Sequence, residues 1–296
     1  MNPTVSIIIP TYESKYLSLL LDSIYFQSYQ NIEVIISDDS VSNIVENGYK
    51  NHKVNDKYSV KYFRNLPAMG SPANWNLGIR RSIGEIVKLM HHDDWFISEN
   101  AIQQYVDIIT QSKHPTLIFS KYILKDLTSK REHKRECTVK EFAKFTNHPD
   151  YLFKNNFLGT PSVICFSKDL NLFFDENLIW QVDVEFYIRA AKQMNNVFYL
   201  EDYLVGITIE DPDQITNSVV KSNPTLKVKE LVYVAELNRS IKTLLYLSRH
   251  LAKENLRSYF KGHSNVPKMD VIFVYLAFAY FAVGKKLMNL RNMSET

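Results

Sequence analysis

Short apolar runs, each ended by polar residues and separated by helix-patterned stretches, dominate the first 120 residues. They are VSIIIP (5–10), IEVIIS (32–37), SVKYF (59–63), EIVKLM (85–90) and TLIFS (116–120). Runs this short, rich in β-branched residues and mostly without polar alternation, fit strands covered on both faces. Between them, Leu17, Leu20, Leu21 and Ile24 recur at helical spacing within 14–28, with Ser14 as a candidate N-cap. Residues 71–83 and 98–112 also read as helices. This alternation predicts an α/β chain built on a parallel sheet with right-handed crossovers.

Beyond residue 120 the pattern loosens. Residues 121–158 read as irregular, and their charged stretch KDLTSKREHKRE (125–136) is expected to be a solvated loop or hairpin tip. TPSVICF (160–166) reads as a strand, 180–193 as a helix, and NVFYL (196–200) with YLVGITI (203–209) as further strand. From about 225 the pattern is helical. The expected organisation is a first half (1–120), a second half of the same domain (121–220) and a helical C-terminal region (221–296).

Composition narrows the function classes. With 45% hydrophobic and 13% aromatic residues the chain can build a full core. Its two cysteines, Cys137 and Cys165, form no C-x-x-C, which fits a reducing compartment without structural zinc. No basic segment leads into a long apolar run at the start, so no signal peptide is expected and the location expected is cytoplasmic. Residues 225–296 carry 12 Lys+Arg against 5 Asp+Glu, which leaves −4 for the first 224 residues of a chain whose net charge is +3. A mildly acidic body with a basic tail argues against a nucleic-acid partner and suits peripheral contact with an anionic membrane, on the inner face of the cell membrane. Eight glycines form neither G-x-G-x-x-G nor G-x-x-x-x-G-K-[ST], which disfavours dinucleotide dehydrogenases and P-loop nucleotide triphosphatases.

Ligands of open parallel sheets bind beyond the carboxyl ends of the strands. The residues there are Thr11, Tyr12 and Glu13 after the first run, and Asp38, Asp39 and Ser40 after the second. Arg64 and Asn65 follow the third, and His91, His92, Asp93 and Asp94 the fourth. One acid pair alone reads as a turn that caps the next helix. Two pairs on one edge point to a cation or a donor-rich ligand, because adjacent carboxylates repel. A hard divalent cation, Mg2+ or Mn2+, takes one or two such carboxylates plus substrate phosphate oxygens. A zinc site from His91, His92 and the acids is disfavoured, since immediate neighbours seldom converge on one ion.

VSIIIPTYES, IEVIISDDS, YFRN and NWNLGIRRSIGEIVKLMHHDDW together resemble the nucleotide-binding half of the inverting family 2 glycosyltransferases, which have the GT-A fold. The resemblance covers residues 4–120 well and 155–215 more loosely. It implies a Rossmann-like, mostly parallel sheet flanked by helices, and a nucleotide-diphosphate sugar donor. Tyr12 and Asp39 would contact the nucleobase, and Asp93 and Asp94 the ribose and the metal-bound pyrophosphate. Pro10, Glu13, Arg64 and Asn76 complete the donor-side set. Asp94 corresponds to the last acid of the family's D-x-D-type motif, and His91 and His92 stand where an earlier acid is common.

GTPSVICF (159–166) and FDENLIWQVDVEFYIRAA (174–191) resemble the acceptor half of that family. The family's acid near a helix start falls on Asp183, with Val182-Asp183 in place of the usual Glu-Asp. Asp183 and Glu185 lie two apart and point in different directions on a helix. Asp183 is therefore the expected base, and Glu185 a supporting residue paired with Arg189. His92, Trp95 and Trp180 join Glu185 as the expected acceptor contacts, the acceptor being a glycan or lipid-linked hydroxyl. Glu210 appears where relatives often carry a histidine, as a third metal contact or a turn cap. The uncharged VIFVYLAFAYFAVG (271–284), followed by Lys285, Lys286 and Arg291, is shorter than a bilayer span, which takes about 20 residues. It reads as buried core or as an interfacial helix. Two other classes share the sheet: a sugar-phosphate nucleotidyltransferase, which normally has a glycine-rich loop after its first strand, and a non-catalytic nucleotide-sugar-binding protein.

Overall fold

The computed structural model describes residues 2–209 except 113, 154 and 195, together with 226, 230, 231, 233, 234 and 237. In chain order the elements begin with β1 (Val5–Thr11), α1 (Leu17–Tyr25), β2 (Ile32–Asp38), α2 (Ile44–Lys50), α3 (Val54–Lys57) and β3 (Ser59–Arg64). There follow α4 (Ser71–Arg81), β4 (Ile86–Leu89), β5 (Trp95–Phe96), α5 (Ala101–Gln111), β6 (Leu117–Lys125) and β7 (Glu132–Arg135). The described set ends with α6 (Val139–Asn147), β8 (Ile164–Ser167), α7 (Val182–Gln193) and β9 (Val197–Thr208). The apolar runs of the first half are the strands, β1 to β4 within one residue of their expected ends and β6 running five residues past the end of its run. Glu210, the 271–284 segment and the basic residues after it lie outside the described residues.

One sheet joins both halves in the order β3-β2-β1-β4-β8-β6-β9-β5, with β7 paired to β6. Strands β3, β2, β1 and β4 are parallel; β8 then runs antiparallel to both β4 and β6, and β9 runs parallel to β6. Every residue of β1, β2 and β4 is buried, as expected of strands covered on both faces. The chain steps from β1 outward to β2, then from β3 back across to β4. With right-handed crossovers those two steps set α1 and α4 on opposite faces. α4 lies close on β1 and β2: a Cβ added at Gly78 would sit 2.4 Å from Ile8 Cγ2. The reversal of strand order between β1 and β4 opens a crevice at their carboxyl ends.

Some local expectations need correction. Ser14 does not cap α1. The N-cap residue is Tyr16, without a side-chain cap bond, and the Ser14 hydroxyl is buried without a hydrogen-bond partner. Residues 121–158 are not wholly irregular. β6 runs on to Lys125, and the charged stretch forms its hairpin with the fully exposed β7. α6 opens with a capping box in which Thr138 Oγ1 accepts from Glu141 N and Glu141 accepts from Thr138 N. The two predicted strands at 196–209 are one strand, β9, whose pairing with β6 is irregular at Ser120–Tyr122.

Candidate active site

The β1 and β2 ends meet in register, Thr11 opposite Asp38, and Asp39 N donates to Thr11 O at 3.0 Å. Tyr12 leaves the sheet there with its ring 61% exposed, free to stack on a planar ligand. Pro10 is buried within β1. Asp39 is nearly buried, accepting from Asn65 Nδ2 and Gly70 N, both at 2.9 Å. Asp38 is wholly buried and works inside the fold, accepting from Thr11 Oγ1, Ser40 N and Tyr62 Oη.

Three of the expected donor contacts are occupied by the protein itself. Glu13, at φ 44°, accepts from Val41 N and Ser42 N at 2.9 Å and from the Ser42 hydroxyl, and these bonds hold its carboxyl below the ordinary range. Arg64 donates to Tyr62 Oη, Asn43 Oδ1 and Ser42 O, so its guanidinium ties β3 to the loop after β2. Asn76 is buried in α4 and gives both amide hydrogens away, to Phe174 O (2.8 Å) and Glu176 Oε1 (2.9 Å), while accepting from Phe174 N.

At the β4 end, the turn His91–Asp94 is fastened on several sides. Met90 N donates to Ile8 O, Asp94 N to His91 O, and His91 N to Ser162 Oγ at 2.9 Å. The next two residues form β5, which pairs with β9, so β9 closes over the acids. Thr208 N reaches Asp94 Oδ1 at 3.2 Å and the Thr208 hydroxyl donates to Asp93 O. The two carboxylates differ in setting. Asp94 is 2% exposed; burial, then the Asp93 charge, push its carboxyl well above the ordinary range, against bonds from Ser162 and Thr208. Asp93 is half-buried. His91 stacks obliquely on Trp75, with centroids 5.0 Å apart, and its Nδ1 lies 3.9 Å from Asp94 Oδ2. Burial lowers its imidazole to about 4, so it is neutral at pH 7, and its Nε2 is buried without a hydrogen-bond partner. His92 is half-buried. The Trp95 indole packs against Gly206 of β9, where an added Cβ would sit 2.1 Å from its Cε2.

Asp183 is the second residue of α7. Its Oδ2 accepts from Asn156 Nδ2 at 2.7 Å and its Oδ1 from Val184 N at 2.8 Å. Burial nevertheless pushes the carboxyl up to about 6. Asn156 also donates to Gly159 O, which Tyr187 Oη meets at 3.2 Å. Gly159 has φ 107°, and a Cβ there would lie 2.7 Å from the Tyr122 ring, so no other residue fits without strain. The segment 156–162 therefore runs from Asp183 at one end to Ser162, beside His91 and Asp94, at the other. Glu185 points away, as its spacing predicts. It is buried in a two-pronged pair with Arg189 (2.7 and 2.8 Å), and Arg189 also holds Phe173 O. Trp180 is half-buried just before α7, its backbone N–H on Glu230.

Residues 6–178 match Glycosyl transferase family 2. The chain belongs to that family. Among curated proteins it is 26% identical over 228 residues to an uncharacterized glycosyltransferase of Methanocaldococcus jannaschii, covering 74% of this chain and 76% of that one. It is also 26% identical over 220 residues to the GalNAc(5)-diNAcBac-PP-undecaprenol beta-1,3-glucosyltransferase of Campylobacter jejuni, covering 69% and 68%. Among solved structures, S. aureus TarS 1-349 in complex with UDP-GlcNAc superposes with a TM-score of 0.66 at 18% identity, over 94% of this chain and 80% of that one. Against a longer TarS chain the TM-score is 0.61, and this chain spans 43% of its length. The fold is thus that of the GT-A glycosyltransferases.

Several residues of this family 2 glycosyltransferase that shape the site went unread in the sequence. Ser162, Asn156 and Thr208 sit on segments whose partners are far away along the chain. Glu230 accepts from three consecutive N–H groups, Ile179, Trp180 and Gln181, and so caps the entry to α7. Lys88 did carry a signal: it is a charge in the middle of an apolar strand. Among the described residues no three His, Cys, Asp or Glu side chains gather as a metal cluster, and no helix is long and apolar enough to cross a membrane.

Proposed function

We propose that this glycosyltransferase moves a sugar from a nucleoside-diphosphate sugar to a hydroxyl of a glycan or lipid-linked acceptor, with inversion at the anomeric carbon. The observation that carries the reading is Asp183, half-buried at the start of α7 with its carboxyl raised to about 6. A carboxylate near the operating pH is suited to take a proton from an attacking alcohol. The acceptor oxygen forms a bond to the anomeric carbon as the carbon–oxygen bond to the diphosphate breaks, and the hydroxyl proton passes to Asp183. The carbon passes through an oxocarbenium-like state, as in glycoside hydrolysis. No covalent enzyme intermediate is needed, and the buried Cys165 serves as core.

On the donor side, the exposed Tyr12 ring and the Asp39 carboxylate suit a nucleobase. The oxygens of Asp93 and Asp94 suit a hard divalent cation: two neighbouring carboxylates, one held protonated-prone by burial, are a setting that a cation favours. Asp93 and Asp94 would hold Mg2+ or Mn2+, whose charge offsets that of the departing nucleoside diphosphate. With two protein carboxylates, phosphate oxygens and water complete such a shell. His92, Trp95 and Trp180 are assigned to the acceptor side. The name of the Campylobacter jejuni relative, an undecaprenol-linked glucosyltransferase, supports a lipid-linked acceptor, and the basic C-terminal region supports peripheral contact with an anionic membrane. The test is the anomeric configuration of the product, read by proton NMR from a donor of known configuration. Inversion is expected; retention would overturn the single-displacement role of Asp183.

A further inference from the structure

Lys88 stands at the centre of the sheet, in β4, opposite Ile7 of β1 and Cys165 of β8, and has no exposed surface. Full burial of a lysine is rare, and an apolar side chain of similar volume is commonly as stable or more so at such a place. The charge therefore asks for a reason beyond packing. Its Nζ donates to two main-chain carbonyls, those of Ser162 and of Ile164 (3.1 Å), and lies over the rings of Tyr105 (5.1 Å) and Phe96 (5.7 Å). Burial lowers the ammonium to about 7, and the Asp94 carboxylate attracts it.

These contacts meet in one residue. Ser162 gives its carbonyl to Lys88 in the sheet interior. Its hydroxyl accepts from His91 N, and His91 O in turn accepts from Asp94 N. Ser162 lies within the short 3-10 turn Pro161–Val163, which leads straight into β8. On the same side Tyr105 Oη meets the turn at Val163 O, at the longer distance of 3.4 Å.

We propose that Lys88 is a positioning residue for the donor site: from inside the sheet it fixes the Pro161–Val163 turn, so that the Ser162 hydroxyl orients His91 and, through the Asp94 N to His91 O bond, the turn that carries Asp94. The proposal rests on the assignment of Asp93 and Asp94 to the donor's diphosphate. Removing a residue that orients a ligand from behind typically costs about 10–100-fold in affinity or activity.

The experiment compares the full-length wild type with Lys88→Met, Ser162→Ala, the double variant and Asp93→Asn. Each is melted, then titrated calorimetrically with UDP and with GDP in the presence of Mn2+, and the tighter nucleotide of the wild type serves as probe. Lys88→Met is expected to melt cooperatively, and to bind the probe about 10–100-fold more weakly with KM for donor raised alongside. The acid limb of its pH profile, set by Asp183, stays in place. Ser162→Ala weakens binding too, and the double variant is no worse than Lys88→Met, because both act through one connection. Wild-type affinity in Lys88→Met overturns the proposal. If Lys88→Met does not fold, Ser162→Ala decides, and wild-type affinity there overturns it. If Asp93→Asn loses affinity while Lys88→Met keeps it, the Lys88 proposal alone fails. If Asp93→Asn binds as the wild type does, or the wild type binds neither nucleotide, the donor-site assignment fails and Lys88 loses its role with it.

Discussion

Asp183 is the residue on which most depends. Asp183→Asn should lower transfer by about 10²–10⁴-fold, the usual share of general base catalysis, with nucleotide affinity nearly intact. Full-rate transfer by this variant, with loss in Glu185→Gln, would reverse the assignment of the two acids. The wild-type rate should fall as pH drops through about 6, because the base must be ionised. Stability follows the opposite course. The folded-state value is raised from 3.8 to about 6, so the folded state binds the proton more tightly between those values. Ionising the group thus removes stability as pH rises through that window, and the cost is complete above it. Asp183→Asn should therefore gain in melting temperature relative to the wild type on going from about pH 4 to about pH 8. Asp94→Asn keeps the shape of a buried acid but not its charge; turnover should fall by about a hundredfold or more if the cation offsets several kcal/mol of leaving-group charge. Turnover unchanged by exhaustive chelation of the wild type would contradict that role.

At the scale of elements, the shortest and the longest of the described strands, β5 and β9, hold the site together. β5 is two residues long, and its Trp95 packs against Gly206 of β9. Gly206→Ala should displace the indole, since an added methyl has no room, and destabilise the protein by about 1–3 kcal/mol. Because β9 also carries Thr208 to Asp94, donor affinity should drop in the same variant; denaturant melts and nucleotide titration read the two effects. A melt and an affinity both at wild-type values would show that the indole is not held there. β5 could not be read from the sequence, because two residues carry no periodicity. β1, β2 and β4 could, because burial on both faces leaves a continuous apolar run. The 138–147 helix had a readable start, Thr138-x-x-Glu141, masked by the charged stretch before it. The site split in the same way. The acids stand at strand ends, where position alone identifies them. The spent donor groups of Glu13, Arg64 and Asn76 became visible only with their distant partners in place.

The described residues share one sheet, with a parallel half that ends near Tyr12, Asp39, Asp93 and Asp94, and a mixed half beside which α7 carries Asp183, bonded to Asn156 of the 156–162 segment. This arrangement keeps the proposed donor groups and the proposed base on separate elements, with Ser162 at the His91–Asp94 turn and Asn156 on Asp183. The C-terminal region adds a basic, partly apolar stretch to a mildly acidic body. The full chain should sediment with anionic vesicles at low salt, each basic residue near the surface contributing about 1 kcal/mol, and deletion after Pro267 should abolish this. Loss of the cooperative melt in the deleted chain would instead make that stretch part of the core. The central claim is sugar transfer from a nucleoside-diphosphate sugar. The most direct measurement is release of nucleoside diphosphate from a panel of nucleotide sugars by the full-length protein, with Mn2+ and with chelator, beside Asp183→Asn. Release from at least one donor, abolished by chelation and strongly reduced in Asp183→Asn, is the predicted result. No release from any donor in the panel, or equal release by wild type and Asp183→Asn, would contradict the account.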